Sequence, residues 1–152
     1  MSIYLAVGFI AVAATKTPLI VGSTANIRPR IIRYDTSTTG TPTSDQGIEY
    51  QVRRATALGT STSVTMAVSD PSDGAGTVYV TAGTNCTIEP TYTSSVWLVD
   101  RAQNPRATYQ WAAYSPDEEI ILPATASNGV GWQITGAGGA AGNFNVNASV
   151  KQ

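Results

Sequence analysis

The sequence predicts an all-β fold: a single antiparallel β-sandwich, or jelly-roll-like, domain of about nine or ten short strands spanning residues 1–152. Three observations lead there. Apolar and polar residues alternate with a period of two along most of the chain, the pattern of strands buried on one face. Turn-formers interrupt these runs at spacings of roughly ten to fifteen residues, among them Gly40-Thr41-Pro42, Asp70-Pro71, Gly83, Asn104-Pro105, Ser115-Pro116 and the run from Gly136 to Gly142. No long window carries a helical stripe; Ala102 to Ala113 comes nearest, and Pro105 breaks it.

The first element, residues 1–14, is apolar almost throughout. It lacks the positive charge that opens a signal peptide, since the first basic residue is Lys16, and it is too short to span a bilayer. It reads as a strand with Ile3, Leu5, Val7 and Phe9 on one face and Tyr4, Ala6, Ile10 and Val12 on the other. Such a strand needs two covers, one being its own core and the other a partner subunit. In Ile27-Arg-Pro-Arg-Ile-Ile-Arg-Tyr34, arginine and isoleucine mix on both faces, and Pro29, with no N–H, favours an edge strand. Arginines there serve either as edge protection or as forked donors to a partner's carboxylates.

Further on, Ile48, Tyr50 and Val52 alternate with Glu49, Gln51 and Arg53. Val64, Met66 and Val68 alternate with Ser63, Thr65 and Ala67, predicting one strand, and Val78 and Val80 with Thr77, Tyr79 and Thr81 predict another. The stretch from Glu89 to Trp132 reads as three short strands between turns. Val130, Trp132 and Ile134 open the last pair of strands, and Phe144, Val146, Ala148 and Val150 close it, the latter alternating with Asn143, Asn145, Asn147 and Ser149.

Composition bounds the function. Only 12% of residues are charged, about half the usual share, while 42% are hydrophobic; the surface is therefore largely neutral and polar. The net charge of −1 supplies no field for nucleic acid or anionic lipid, so neither nucleic acid nor a membrane is an expected partner. Five arginines fall between Arg28 and Arg54, whereas Ala107 to Val150 carries only Asp117, Glu118 and Glu119. A single cysteine, Cys86, excludes an internal disulfide and reads as a small buried residue.

With no histidine, the common nucleophilic triads and zinc sites have no base or ligand. Asp117, Glu118 and Glu119 are adjacent rather than convergent, so they do not form a glycosidase pair. Asp70-Pro-Ser-Asp73-Gly74 lacks the remaining ligands of a calcium loop and reads as a plain turn. The glycines of 136–142 precede a strand, not the helix that phosphate binding requires. The expectation is a non-enzyme with no catalytic, cofactor or metal residues and no cofactor. Trp97, Trp111, Trp132, Tyr92, Tyr109 and Tyr114 could form an aromatic platform for sugar, in a carbohydrate- or receptor-binding module. Against this, Tyr109 and Trp111 share a face with Ala107 and Ala113, and Trp132 shares one with Val130 and Ile134, as core residues do.

The order of motifs adds a family. Arg28-Pro-Arg30, Gln51-Val-Arg-Arg54, Leu58-Gly-Thr-Ser-Thr62, Ser69-Asp-Pro71, Glu89-Pro-Thr-Tyr92, Asn104-Pro-Arg-Ala-Thr-Tyr-Gln-Trp111 and Leu122-Pro-Ala-Thr-Ala-Ser-Asn-Gly129 follow one another in a way that resembles the small capsid decoration (cement) proteins of tailed bacteriophages. The resemblance covers residues 27–135 and not the ends. It implies a virion structural protein on the capsid exterior, made in the host cytoplasm, whose partners are the major capsid protein and itself, as a dimer or trimer. The residues expected to meet a partner are Ile3, Tyr4, Leu5, Arg28, Arg30, Arg33 and Trp97.

Overall fold

The alternation resolves into two antiparallel sheets packed face to face, a β-sandwich, in a computed structural model that describes residues 2–41, 45–73, 80–136 and 142–152. Among the described residues there are thirteen strands: β1 Ile3–Ala11, β2 Lys16–Gly22, β3 Arg30–Thr38, β4 Ile48–Ala57, β5 Thr60–Val64, β6 Ala67–Val68, β7 Thr81–Ile88, β8 Thr91–Tyr92, β9 Val99–Gln103, β10 Tyr109–Ala112, β11 Ile120–Ile121, β12 Gly129–Gly136 and β13 Asn143–Lys151. The first sheet runs β10-β3-β13-β1-β6, with β11 also on β3. The second runs β5-β7-β2-β12-β4-β8, with β9 also on β4.

The two orders share a middle. β3, β13 and β1 lie side by side in the first sheet, and their chain neighbours β4, β12 and β2 lie side by side in the second. Three chain segments therefore each contribute a strand to both layers, giving the sandwich its rolled form. The turn from β1 into β2 passes through Thr15, with a φ of 56° and its N–H on the Ile134 carbonyl at 2.7 Å. Where β1 crosses β2, only glycine fits at position 8, since a Cβ would meet the Pro18 carbonyl oxygen and the Leu19 side chain.

Inward residues of both sheets form one core, with Tyr4, Leu19, Tyr34, Tyr50, Trp132 and Phe144 among its largest buried side chains. Tyr34 organises an aromatic group: its ring stacks on Trp111 at 5.4 Å between centroids and meets the edge of Trp132 at 5.5 Å. Such pairs add about 0.5–1.5 kcal/mol each beyond burial. The alternation of β1, β4 and β13 holds as read, and Cys86 is buried.

Three expectations are corrected. Residues 63–68 are not one strand: β5 belongs to the second sheet and β6 to the first, and the chain changes layers around buried Met66. The span Glu89 to Trp132 holds β8 to β11 and the start of β12, because pairs of strands as short as two residues leave no legible period. Finally, β3 is not an edge strand, since β13 flanks it on one side and β10 and β11 on the other. Pro29 is tolerated because it stands just before β3, where its carbonyl accepts from the Leu122 N–H at 2.8 Å and no N–H is demanded. The strand expected around Val78 lies outside the described residues except at its end, where β7 begins, and so does most of the Gly136–Gly142 run.

Candidate interaction surface

The outer face of the first sheet can be read as rows crossing β1, β13, β3 and β10. Leu5, Ser149, Arg33 and Ala112 form one row, and Val7, Asn147, Asp35 and Gln110 the next. Phe9, Asn145 and Ser37 form a third. On β1 the side chains are large and apolar, with Leu5 42%, Val7 48% and Phe9 50% exposed. On β13 they are short and neutral. The long side chains of β1 and β3 thus stand on either side of a low floor, leaving a groove of about 280 Å³ lined by Leu5, Val7, Arg33, Asp35, Asn147 and Ser149.

The polar wall of this groove is fixed. Asn147 Nδ2 donates to Asp35 Oδ2 at 2.6 Å. Gln110, with its amide oxygen turned toward Arg33, accepts from Nη2 at 2.8 Å and Nε at 2.6 Å. The apolar wall has only partial edge protection. Short β6 pairs with Tyr4 and Leu5, and the Thr84 hydroxyl of β7 both accepts from the Phe9 N–H at 2.8 Å and sits 3.0 Å from the Phe9 carbonyl.

One end of the face is basic. Between Ser149↔Arg33 and Val150↔Ile31 the register shifts by a residue, so β3 carries a bulge at Ile32. Counting inward from buried Tyr34 without the bulge would send Arg30 into the core. With it, Ile31 points in and Arg30 points out beside Lys151, its cross-strand neighbour. Glu119 lies between the two cations, with Oε2 2.9 Å from Arg30 Nη1 and Oε1 2.8 Å from Lys151 Nζ. The hydrogen bonds from Lys151 and Arg30 hold the Glu119 carboxyl below its ordinary value.

The middle of the outer face of the second sheet is covered by its own chain. Ile20, Ala55 and Cys86 form a second small cluster under Leu58 and Tyr92. Tyr92 reaches over Gly131, where any Cβ would strike its hydroxyl. Thr17 Oγ1 donates to Glu89 Oε2 at 2.6 Å and lies 2.9 Å from the Tyr92 hydroxyl. Since Thr17 has one proton, already given to Glu89, Tyr92 is the donor in the second bond. The Arg53 guanidinium covers the Tyr92 ring at 4.9 Å, and Lys16 Nζ stands 3.9 Å from Glu89. Burial raises the Tyr92 phenol well above its ordinary 10.0 and pushes the Cys86 thiol up to about 11, leaving the thiol protonated and unreactive at neutral pH.

The structure brings together most of the residues singled out in the sequence. Ile3, Leu5, Arg28, Arg30 and Arg33 stand on or beside the outer face of the first sheet. Tyr4 does not: it is 1% exposed and belongs to the core, because neighbouring positions on a strand face opposite ways. Trp97 is half exposed but lies in the connection from β8 to β9, on the second sheet. The aromatic residues considered for sugar form no row. Trp132 is fully buried, Tyr109 and Trp111 pack on the core, Tyr92 is held over Gly131, and Tyr114 projects alone from the β10–β11 connection. Sequence reasoning missed Glu119 and Lys151 as a pair; the only trace was that acidic 117–119 and Lys151 are the sole charges after Arg106.

Among the described residues no group of histidine, cysteine or carboxylate side chains is arranged to hold a metal, and no helix is long and apolar enough to cross a membrane. Comparison with family models, with curated proteins and with solved structures finds no match for this chain.

Proposed function

We propose that this chain is a capsid decoration, or cement, protein of a tailed bacteriophage, bound to the outside of the head. The reading rests on the resemblance in motif order and on one observation above the rest: an apolar stripe, Leu5-Val7-Phe9, left open beside a ladder of neutral Asn and Ser side chains. Such a face matches a partner surface that is itself apolar and uncharged. Three half-exposed side chains amount to a patch no larger than the roughly 300–600 Å² an ordinary monomer carries, and fall well short of the ~800 Å² per partner of a stable one-to-one interface. A single contact of this kind is weak. Repeated at symmetry-related positions and linked through a homo-oligomer, it adds by multivalency. The subunit would then straddle shell proteins and oppose their separation under the pressure of packaged DNA, with no turnover.

The test is to mix the purified protein with capsids lacking it and image the particles by cryo-electron microscopy. Added density at regular lattice positions, with the β1 face toward the shell or a neighbouring subunit, is the expected result. Particles unchanged in the presence of folded protein would overturn the reading and make a glycan array the next experiment.

A further inference from the structure

We infer that the pocket framed by Arg28, Arg30 and Lys151 is a docking site for a carboxylate side chain of an acidic partner segment, which, if the chain is a decoration protein, belongs to the shell. The pocket has a volume of about 250 Å³ and is also bordered by Gln152. That is below the ~300–1,000 Å³ of sites that enclose a small organic ligand, and suits one side chain.

The charges do not balance. Of the seven arginines, Arg30 pairs with Glu119, Arg33 with Gln110 and Arg106 with Asp45. Arg53 bonds Gln133, Arg54 bonds the Ile121 carbonyl, and Arg101 lies over the Tyr109 ring. Lys16 and Lys151 have Glu89 and Glu119. Arg28 alone among the described cations has no partner, and it is exposed at the mouth of this pocket.

The pocket is also built. Cations directly opposite across a ladder, as Arg30 and Lys151 are, repel, so the arrangement needs an anion. Glu119 supplies one carboxylate for two cations, and Arg28 makes three. The bulge at Ile32 turns Arg30 outward, and Arg28, two residues ahead of it and just before β3, lines the same pocket, within roughly 6.6 Å of chain even if fully extended. Two guanidinium groups at that spacing can share one carboxylate between their forks. Glu119 fixes the orientation of Arg30 and Lys151 without satisfying the remaining donors.

The side chains of Arg28, Arg30 and Lys151 less Glu119 sum to +2, a local field that the near-neutral molecule as a whole does not supply. Ile3, the cross-strand neighbour of Lys151, also begins the apolar stripe. The partner is therefore expected to present an acidic residue next to an apolar strand or loop.

The test is a side-chain NMR titration of the whole protein with an acetylated, amidated peptide carrying one glutamate beside three valines, with inorganic phosphate as the second probe. Saturable shifts centred on the Nε–H signals of Arg28 and Arg30, weakened about tenfold by Arg28→Gln, are expected. Shifts spread equally over Arg53, Arg54 and Arg101, or phosphate displacing the peptide at equal concentration, overturn the inference.

Capsid binding separates this from the broader reading. If the wild type decorates capsids and Arg28→Gln does so equally well, the pocket is wrong and decoration stands. If the wild type leaves capsids bare while the peptide binds as expected, decoration falls and the carboxylate site remains.

Discussion

On the outside of the second sheet, Leu58 and Tyr92 cover Ile20, Ala55 and Cys86, and a chain of hydroxyls runs from Tyr92 through Thr17 to Glu89. On the outside of the first sheet, Leu5, Val7 and Phe9 are about half exposed in the isolated chain. The same fold thus covers the middle of one face, leaving Ile88 and Trp97 exposed away from that cover, and leaves the β1 stripe of the other open. The difference arises at the end of β7, where the chain turns back over its own sheet through Pro90 and β8, while no such segment returns over β1 among the described residues. Apolar surface that a chain could cover and does not is surface available to a partner.

This contrast can be broken from the covered side first. Replacing Tyr92 with alanine removes the ring, its bond to Thr17 and the seat of Arg53, and should cost about 2–4 kcal/mol in urea unfolding followed by tryptophan fluorescence. A loss below half of that would mean the cover is incidental. Alkali acts on the same side and on the core. Burial raises the phenols of Tyr34, Tyr50 and Tyr92 above the ordinary 10.0. Groups with raised folded values contribute stability that is complete below pH 10 and lost as the pH climbs toward those values. The urea midpoint should therefore fall steeply above pH 10, and less so in Tyr92→Phe.

Acid acts on the open side. The Glu119 carboxyl is lowered by Lys151 and Arg30, so its contribution is complete above the ordinary 4.5 and is lost as the pH falls through the lowered value. Glu119→Gln should flatten that part of the stability profile and leave the alkaline limb unchanged. The smallest effect is expected on the stripe itself. Leu5→Thr, Val7→Thr and Phe9→Thr keep strand propensity and should each change stability by no more than about 0.5 kcal/mol. The triple variant should nevertheless lose binding to capsids. A large destabilisation would show that the stripe already has a cover within the chain.

How much of this was legible depends on where the period survives. β1, β4 and β13 are long and regular, so their residues could be sorted into two faces from letters alone, though for β1 not into an inner and an outer one. Between Ile31 and Arg33 the period breaks, because the bulge places Ile32 and Arg33 consecutively outside the core; the mixed faces read from the sequence were that bulge unseen. The assignment of Tyr4 to a partner failed for a different reason. A strand apolar on both faces says that both are covered or sticky, not which is which. Glu119 meeting Arg30 is a contact across 89 residues, and no local pattern encodes it.

The first and last strands are paired along their whole length, Ile3 through Ala11 against Lys151 through Asn143, and among the described strands β13 alone joins β1 to β3. A chain leaving the ribosome N-terminus first therefore carries its stickiest strand with no partner but two-residue β6 until residues 143–151 have been synthesised. Closure of that sheet is a late, nonlocal event, slow by the standards of domains this size and exposed to aggregation in the interval. The outer face that carries Leu5, Val7 and Phe9 is then laid down only once β13 has been made, so completion of the first sheet waits on translation.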